Sequence, residues 1–228
     1  DERGAIIKRV FDEYGISYFM DKKHNALHNP AVVFVVALLD VIQSAWAYED
    51  IFSLVKTGFS PLKAGDAEDL ENYAIRYRIK GNKWKKDFRY GVNEYGEEEF
   101  KKLNASRGLL AGFISNYEDR IKSAVTVREK TGVLLEFLNG TASLEQQLED
   151  LCLELEDSSE FEAAMEVQQI WESILDLLDQ LVELVGDEVM SHEDYAAMLK
   201  TGFESIELGL IPTTIDQVVI GTMQRTRM

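Results

Sequence analysis

Between Arg76 and Tyr90 the chain sets seven cations, Arg76, Arg78, Lys80, Lys83, Lys85, Lys86 and Arg89, against a single acid, Asp87. Tyr77, Trp84, Phe88 and Tyr90 are interleaved with them. Cations neutralise phosphates and flat rings stack on bases, so this mixture suits contact with a single strand or a phosphate backbone. Arg76, Arg78, Lys80, Lys83, Trp84, Lys85, Lys86 and Arg89 are therefore candidate DNA-contacting residues. A second reading has equal standing: Trp84 and Phe88 anchor the segment to the core, and the lysine stems simply cover surface, as they do on many proteins.

A smaller polar cluster follows the first strand-like run: Lys22, Lys23, His24 and Asn25, with His28 and Asn29 just beyond. His24 and His28 stand four apart, a spacing that ligates zinc when both sit on one helix face. Asn29-Pro30 places them in a loop instead, and no third ligand is near, so a metal is not expected. A polar loop after a strand is a common place for ligand contact, so Lys22, Lys23 and His24 join the DNA-contact candidates.

Cys152 is the chain's one cysteine. No disulfide framework exists, and a reducing cytoplasm is the expected compartment. Its neighbours Leu151 and Leu153 predict a buried, inert thiol. The chain contains no G-x-x-x-x-G-K-[ST], G-x-G-x-x-G, G-x-S-x-G or H-E-x-x-H. No catalytic residue is assigned, and no cofactor is expected within this stretch.

The elements that must position these residues read as helices. The 228 residues can bury a substantial core. Three prolines and few glycine-rich stretches argue against a turn-rich β fold. Apolar spacing predicts helices over Glu2–Tyr14, Pro30–Ala47, Asp50–Thr57 and Asp66–Ile79, two more within Glu97–Phe137, and others over Ser143–Glu156 and Ser158–Val185. Ser191 caps a last helix, with Asp194 at its third position. Ile16–Met20 and Ile215–Ile220 read as short strands, one near each end. The longest apolar run, Ala31–Leu39, is too short to span a bilayer, so no membrane role is expected. The absence of methionine at Asp1 points to a boundary inside a longer protein.

The net charge of −17 is unevenly spread. From Thr131 to Leu199 there is no Lys or Arg, yet 18 of the 41 acidic residues lie there. Elsewhere 24 basic residues face the remaining 23 acids, so the overall acidity does not argue against nucleic acid. One internal echo stands out: Glu49–Phe59 aligns without gaps on Glu193–Phe203. Shared stop chemistry explains it better than duplication, with Gly58 and Gly202 both expected in the left-handed position after a helix.

Several stretches together resemble one family. G-I-S-Y-F-M-D-K-K (Gly15–Lys23), followed by His28-Asn29-Pro30 and an apolar helix, is similar to the "gIPyfiDkk…HP" pattern of AddB subunits. These belong to bacterial AddAB-type ATP-dependent helicase/deoxyribonucleases. Y-E-D-I-F-S-L-V-K-T-G-F (Tyr48–Phe59), Leu70–Tyr73 with Ile79-Lys80-Gly81 and Trp84, and L-L-D-Q-L (Leu177–Leu181) also match. So does the closing G-L-I-P-T-T-I-D-Q-V-V-I-G-T-M-Q-R-T-R (Gly209–Arg227). The likeness covers nearly the whole chain in order.

More distantly, the layout resembles superfamily 1 helicases of the UvrD/PcrA type, in which a helical subdomain is inserted into the second RecA-like domain. The resemblance implies a mainly α fold. Residues 1–29 would begin that RecA-like domain, 30–210 would form a 2B-like helical insertion, and 211–228 would return to the sheet. Laid on the helicases' T-x-H-x-x-K-G pattern, Thr222 matches, while Gln224 and Arg227 replace His and Lys and Arg225 lies between. That departure argues against ATP coupling there.

The family's ATP/Mg site would lie before Asp1, and a nuclease domain with an iron–sulfur cluster would lie after Met228. The implied partners are DNA, as double-strand ends and single strands, and an AddA-type helicase/nuclease subunit. The implied process is break repair by recombination, with this stretch as a non-catalytic contact module. The competing expectation is a free-standing helical interaction domain with no nucleic-acid role.

Overall fold

Pro30 opens the helix at the centre of the molecule. The Asn29 side chain accepts from the Ala31 amide at 2.9 Å, and Pro30 fills the first turn, where a missing N–H costs nothing. This helix, α2 (Pro30–Gln43), buries Ala31, Val32, Phe34, Val35, Leu38 and Leu39 completely. Its sequence is apolar on nearly every side, and a helix of that kind belongs inside.

The computed structural model describes residues 2–16, 18–20, 23–209 and 218–220 and is mainly helical. Helix α1 (Glu2–Tyr14) ends at Gly15, whose φ is +64°. Helices α3 (Tyr48–Val55) and α4 (Ala64–Tyr77) follow α2, and a single turn, α5 (Val92–Tyr95), precedes the long α6 (Glu97–Ile121). Helix α7 (Val127–Glu136) starts from a complete capping box between Thr126 and Glu129. Helices α8 (Leu144–Asp157) and α9 (Phe161–Val185) form a hairpin. Of the apolar stripe on α9, Ile170, Ile174, Leu178 and Leu181 are buried, while Leu177 and Val185 are half-covered. On α8 only Leu144 and Leu148 are buried, with Leu151 and Leu155 half-covered. Helix α10 (His192–Ser205) is capped by Ser191, which accepts from the Asp194 amide at 3.0 Å and donates to its carboxylate at 2.6 Å.

Two expectations about helix ends are corrected. Helix α2 stops at Gln43 rather than Ala47, because Ala45 and Trp46 turn into the left-handed region with φ of 54° and 68°. Two consecutive non-glycine residues there cost about 1 kcal/mol or more each, and the buried Trp46 ring holds them in place. Gly58 does take a positive φ, +87°, after α3. Gly202 does not: it lies within α10, which runs on to Ser205. A Cβ at Gly202 would sit 2.5 Å from Leu177 Cδ1, so this glycine admits the neighbouring helix. The echoed sequence therefore does two different jobs.

The strands pair at the foot of the helices. β1 (Tyr18–Met20) runs parallel to β4 (Val218–Ile220), with Tyr18 opposite Val218. Parts of the two terminal strand-like runs thus pair with each other. β2 (Lys23–Asn25) runs antiparallel to β3 (Glu207–Gly209). Lys23 and His24 therefore lie in a strand, not in the expected loop. Asn25 then accepts from the Leu27 amide and starts the short turn leading to Asn29.

Candidate nucleic-acid interface

The basic segment hangs between α4 and α6 and is built from inside outward. Helix α4 ends where Arg78 takes a left-handed conformation (φ 49°), and Ile79 folds back so that its amide reaches Ala74 O at 2.9 Å. Gly81 donates to Trp46 O at 3.0 Å, which ties the segment to the turn after α2. Trp84 then plugs into the core at 1% exposure, against Phe52 and Phe88. Phe88 stacks on Tyr73 with centroids 4.3 Å apart. Asn104 of α6 clamps the Phe88 backbone from both sides, accepting from its amide at 2.7 Å and donating to its carbonyl at 3.3 Å. Gly91 (φ +95°) packs so close to Tyr77 that a Cβ would lie 2.6 Å from the phenol oxygen.

Two charged residues of α6 brace this arrangement from below. Arg107, 8% exposed, donates to Trp84 O at 3.1 Å, pairs with Asp87 and lies over the Phe88 ring. Glu118, 5% exposed, accepts from the Trp46 indole at 3.0 Å, from Lys85 at 2.6 Å and from Lys122. Burial pushes the Glu118 carboxyl upward, but the hydrogen bonds from Lys122, Lys85 and Trp46 outweigh it and hold the group below the ordinary carboxylate value.

The candidate residues consequently divide. Trp84 is corrected: its ring is buried and offers no face to a base. Lys85 is committed to Glu118 and sits 4.7 Å over the Trp46 ring. Arg76 pairs with Glu94, which also accepts from Tyr77 at 3.0 Å. Arg78, Lys80, Lys83, Lys86 and Arg89 are exposed and form no ion pair with a described residue. Lys83 instead donates to Arg78 O at 3.2 Å, which holds it over the turn. Tyr90, 73% exposed, is the aromatic ring that this segment leaves open to solvent. Five cations and one ring of this segment are thus open to solvent.

No protein-family model matches the chain. Individual proteins do. A protein of Alkaliphilus metalliredigens, named as the B subunit of an ATP-dependent helicase/deoxyribonuclease, is 34% identical over 241 residues, covering all of this chain and 21% of its own length. Proteins of the same name from Alkaliphilus oremlandii and Desulforamulus reducens are 35% and 34% identical over 243 and 234 residues. The chain is homologous to these B subunits along its whole length. It spans about a fifth of their length.

The other candidate residues contribute less. Lys22, Thr222, Gln224, Arg225 and Arg227 lie outside the described residues, and Lys23 and His24 are placed only as strand backbone. Among the described residues no group of three His, Cys, Asp or Glu is gathered closely enough to hold a metal, and no helix is long and apolar enough to cross a membrane. Cys152 is half-buried rather than fully covered, with its thiol 3.6 Å from Ala164 O.

Sequence reading missed Arg107 and Glu118. A signal existed: Phe100, Leu103, Leu110, Ile114, Tyr117 and Ile121 recur at three- and four-residue steps, and Arg107 fills the one gap in that buried stripe.

Proposed function

We propose that this chain is the central part of an AddB-type B subunit of an ATP-dependent helicase/deoxyribonuclease that processes DNA breaks for recombination. In this reading it is a non-catalytic module that touches DNA through Arg78, Lys80, Lys83, Lys86, Arg89 and Tyr90. The observation that carries it is homology to proteins of that name over the whole chain.

Two features of the fold support an insertion. The described strands near the two ends, β1 and β4, lie side by side and parallel. Parallel pairing belongs to larger sheets covered on both faces, and three-residue strands are not stable as an isolated pair. Outward from that ladder, β2 and β3 also pair, so the helices rise from a stem where outgoing and returning chain meet. A helical insertion of the 2B kind in a RecA-like domain has such a stem. The exposed cations suit phosphates, and the exposed Tyr90 ring suits stacking on a base.

In this reading the ATP/Mg site and the iron–sulfur cluster of the whole subunit lie outside this stretch. A cluster takes four ligands, typically thiolates, and the chain has one cysteine. The partner in this reading is an AddA-type subunit, and the setting is the cytoplasm.

The test is a salt series of single-strand DNA binding by this chain, read by anisotropy of a labelled oligo(dT). Replacing Lys83 and Lys86 by Ala lowers the salt slope by about 0.7 for each phosphate no longer neutralised. Lys85→Ala leaves the slope unchanged, because that ammonium faces Glu118. A wild-type slope in the Lys83/Lys86 double variant removes both residues from the interface.

A further inference from the structure

The α8–α9 hairpin carries an open groove of about 500 Å³ that the DNA reading leaves unused. Its apolar lining includes Leu148, which is buried, Leu153, which is 60% exposed, and the half-covered ring of Trp171. Glu149, Glu156 and Glu172 line it as well. Trp171 turns its indole N–H to Glu145 at 3.2 Å. None of Glu149, Glu156 and Glu172 pairs with a cation of the described chain, and the sequence supplies none within Thr131–Leu199. A surface that combines apolar side chains with acids left without a cation repels both nucleic acid and an anionic bilayer. It matches a helix with apolar residues three and four apart and Lys or Arg on its flanks, which brings the opposite charge that this stretch lacks.

We propose that the α8–α9 groove docks a basic amphipathic helix of a partner protein. The proposal rests on reading the chain as the contact-making part of a larger assembly, but it does not depend on the DNA-contacting residues. Leu153 and Trp171 receive the apolar face, and Glu149, Glu156 and Glu172 meet the cations.

The chain carries its own reporter, because its single cysteine lines the groove. The probes are a synthetic Leu/Lys amphipathic helix and its Leu/Glu counterpart, and the readout is the rate of Cys152 alkylation by iodoacetamide. At about ten times its Kd the Leu/Lys peptide slows alkylation about tenfold, since only free protein reacts. The Leu/Glu peptide leaves the rate unchanged. Leu153→Glu abolishes protection although it adds another negative charge; the site is exposed, so the variant keeps its fold, checked by circular dichroism.

Three results overturn the proposal: no protection by Leu/Lys, equal protection by both peptides, or undiminished protection in Leu153→Glu. The last would mean diffuse charge attraction without a groove. Oligo(dT) binding measured on Leu153→Glu keeps the two readings apart, since the groove variant leaves the DNA salt slope untouched whichever way the peptide result falls.

Discussion

The basic segment and the acidic hairpin are opposite in more than charge. Between Arg78 and Gly91 the backbone is irregular, and tertiary bonds hold it: Gly81 to Trp46, Trp84 to Arg107, Phe88 to Asn104. Trp84 and Phe88 point inward, and Lys85 is committed to Glu118. The hairpin is regular helix, built from repeated aliphatic spacing, and its acids stay on the outside. An irregular segment must spend side chains to stay in place, whereas a helix supplies its own backbone bonds and leaves its side chains free. Composition alone therefore overstates the interaction potential of the basic segment and understates that of the hairpin.

The comparison breaks most sharply at Trp84. If the ring anchors the segment, Trp84→Ala costs about 3–5 kcal/mol of stability in chemical denaturation. A surface stacking platform would cost well under 1 kcal/mol when truncated, as exposed positions do. A small loss would restore Trp84 to the DNA candidates.

Glu118→Gln comes next, at about 2 kcal/mol, since it weakens hydrogen bonds from two ammonium groups and an indole to a buried carboxylate. The pH dependence has a definite sign. The folded carboxyl titrates below its ordinary 4.5, so the stabilisation is complete above that value and is lost as pH falls through the lower folded value. Denaturation midpoints measured from neutral pH down to the acid limit should fall less steeply in the variant. An acid limb as steep as the wild type's would mean that Glu118 is not the brace.

The helices were legible because their signals are local. Apolar residues at three- and four-residue steps, Asn29-Pro30 at one start and Ser191 with Asp194 at another, each act within a turn or two. The strand character of the two terminal runs was legible for a different reason: each is a short β-branched or aromatic stretch. What stayed hidden depends on distance along the chain. The direction in which Trp84 points is decided by Arg107 and by Phe52, both more than twenty residues away, so its ring could be read equally well as platform or plug. Gly202 looked like a helix stop because its neighbours match those of Gly58, and only the approach of Leu177 from α9 separates them. The β2–β3 ladder is three residues long on each side and joins segments from opposite ends of the chain, below what periodicity registers.

Lys85 and Lys86 give the smallest effects and the finest cut. They are adjacent lysines in one basic run, and the two readings of that run meet between them. Lys85 lies 2.6 Å from a nearly buried carboxylate with its own side chain 34% exposed. Solvent screens part of that pair, so Lys85→Ala costs about 1 kcal/mol. Lys86 is exposed with no ion-pair partner among the described residues, and Lys86→Ala should change stability by no more than about 0.5 kcal/mol. In DNA binding the order reverses: Lys86→Ala lowers the salt slope and Lys85→Ala does not. Equal stability losses in the two variants would mean that the brace at Glu118 does not need Lys85. Equal slopes would mean that the segment meets DNA with its whole charge rather than with the side chains that the core leaves free.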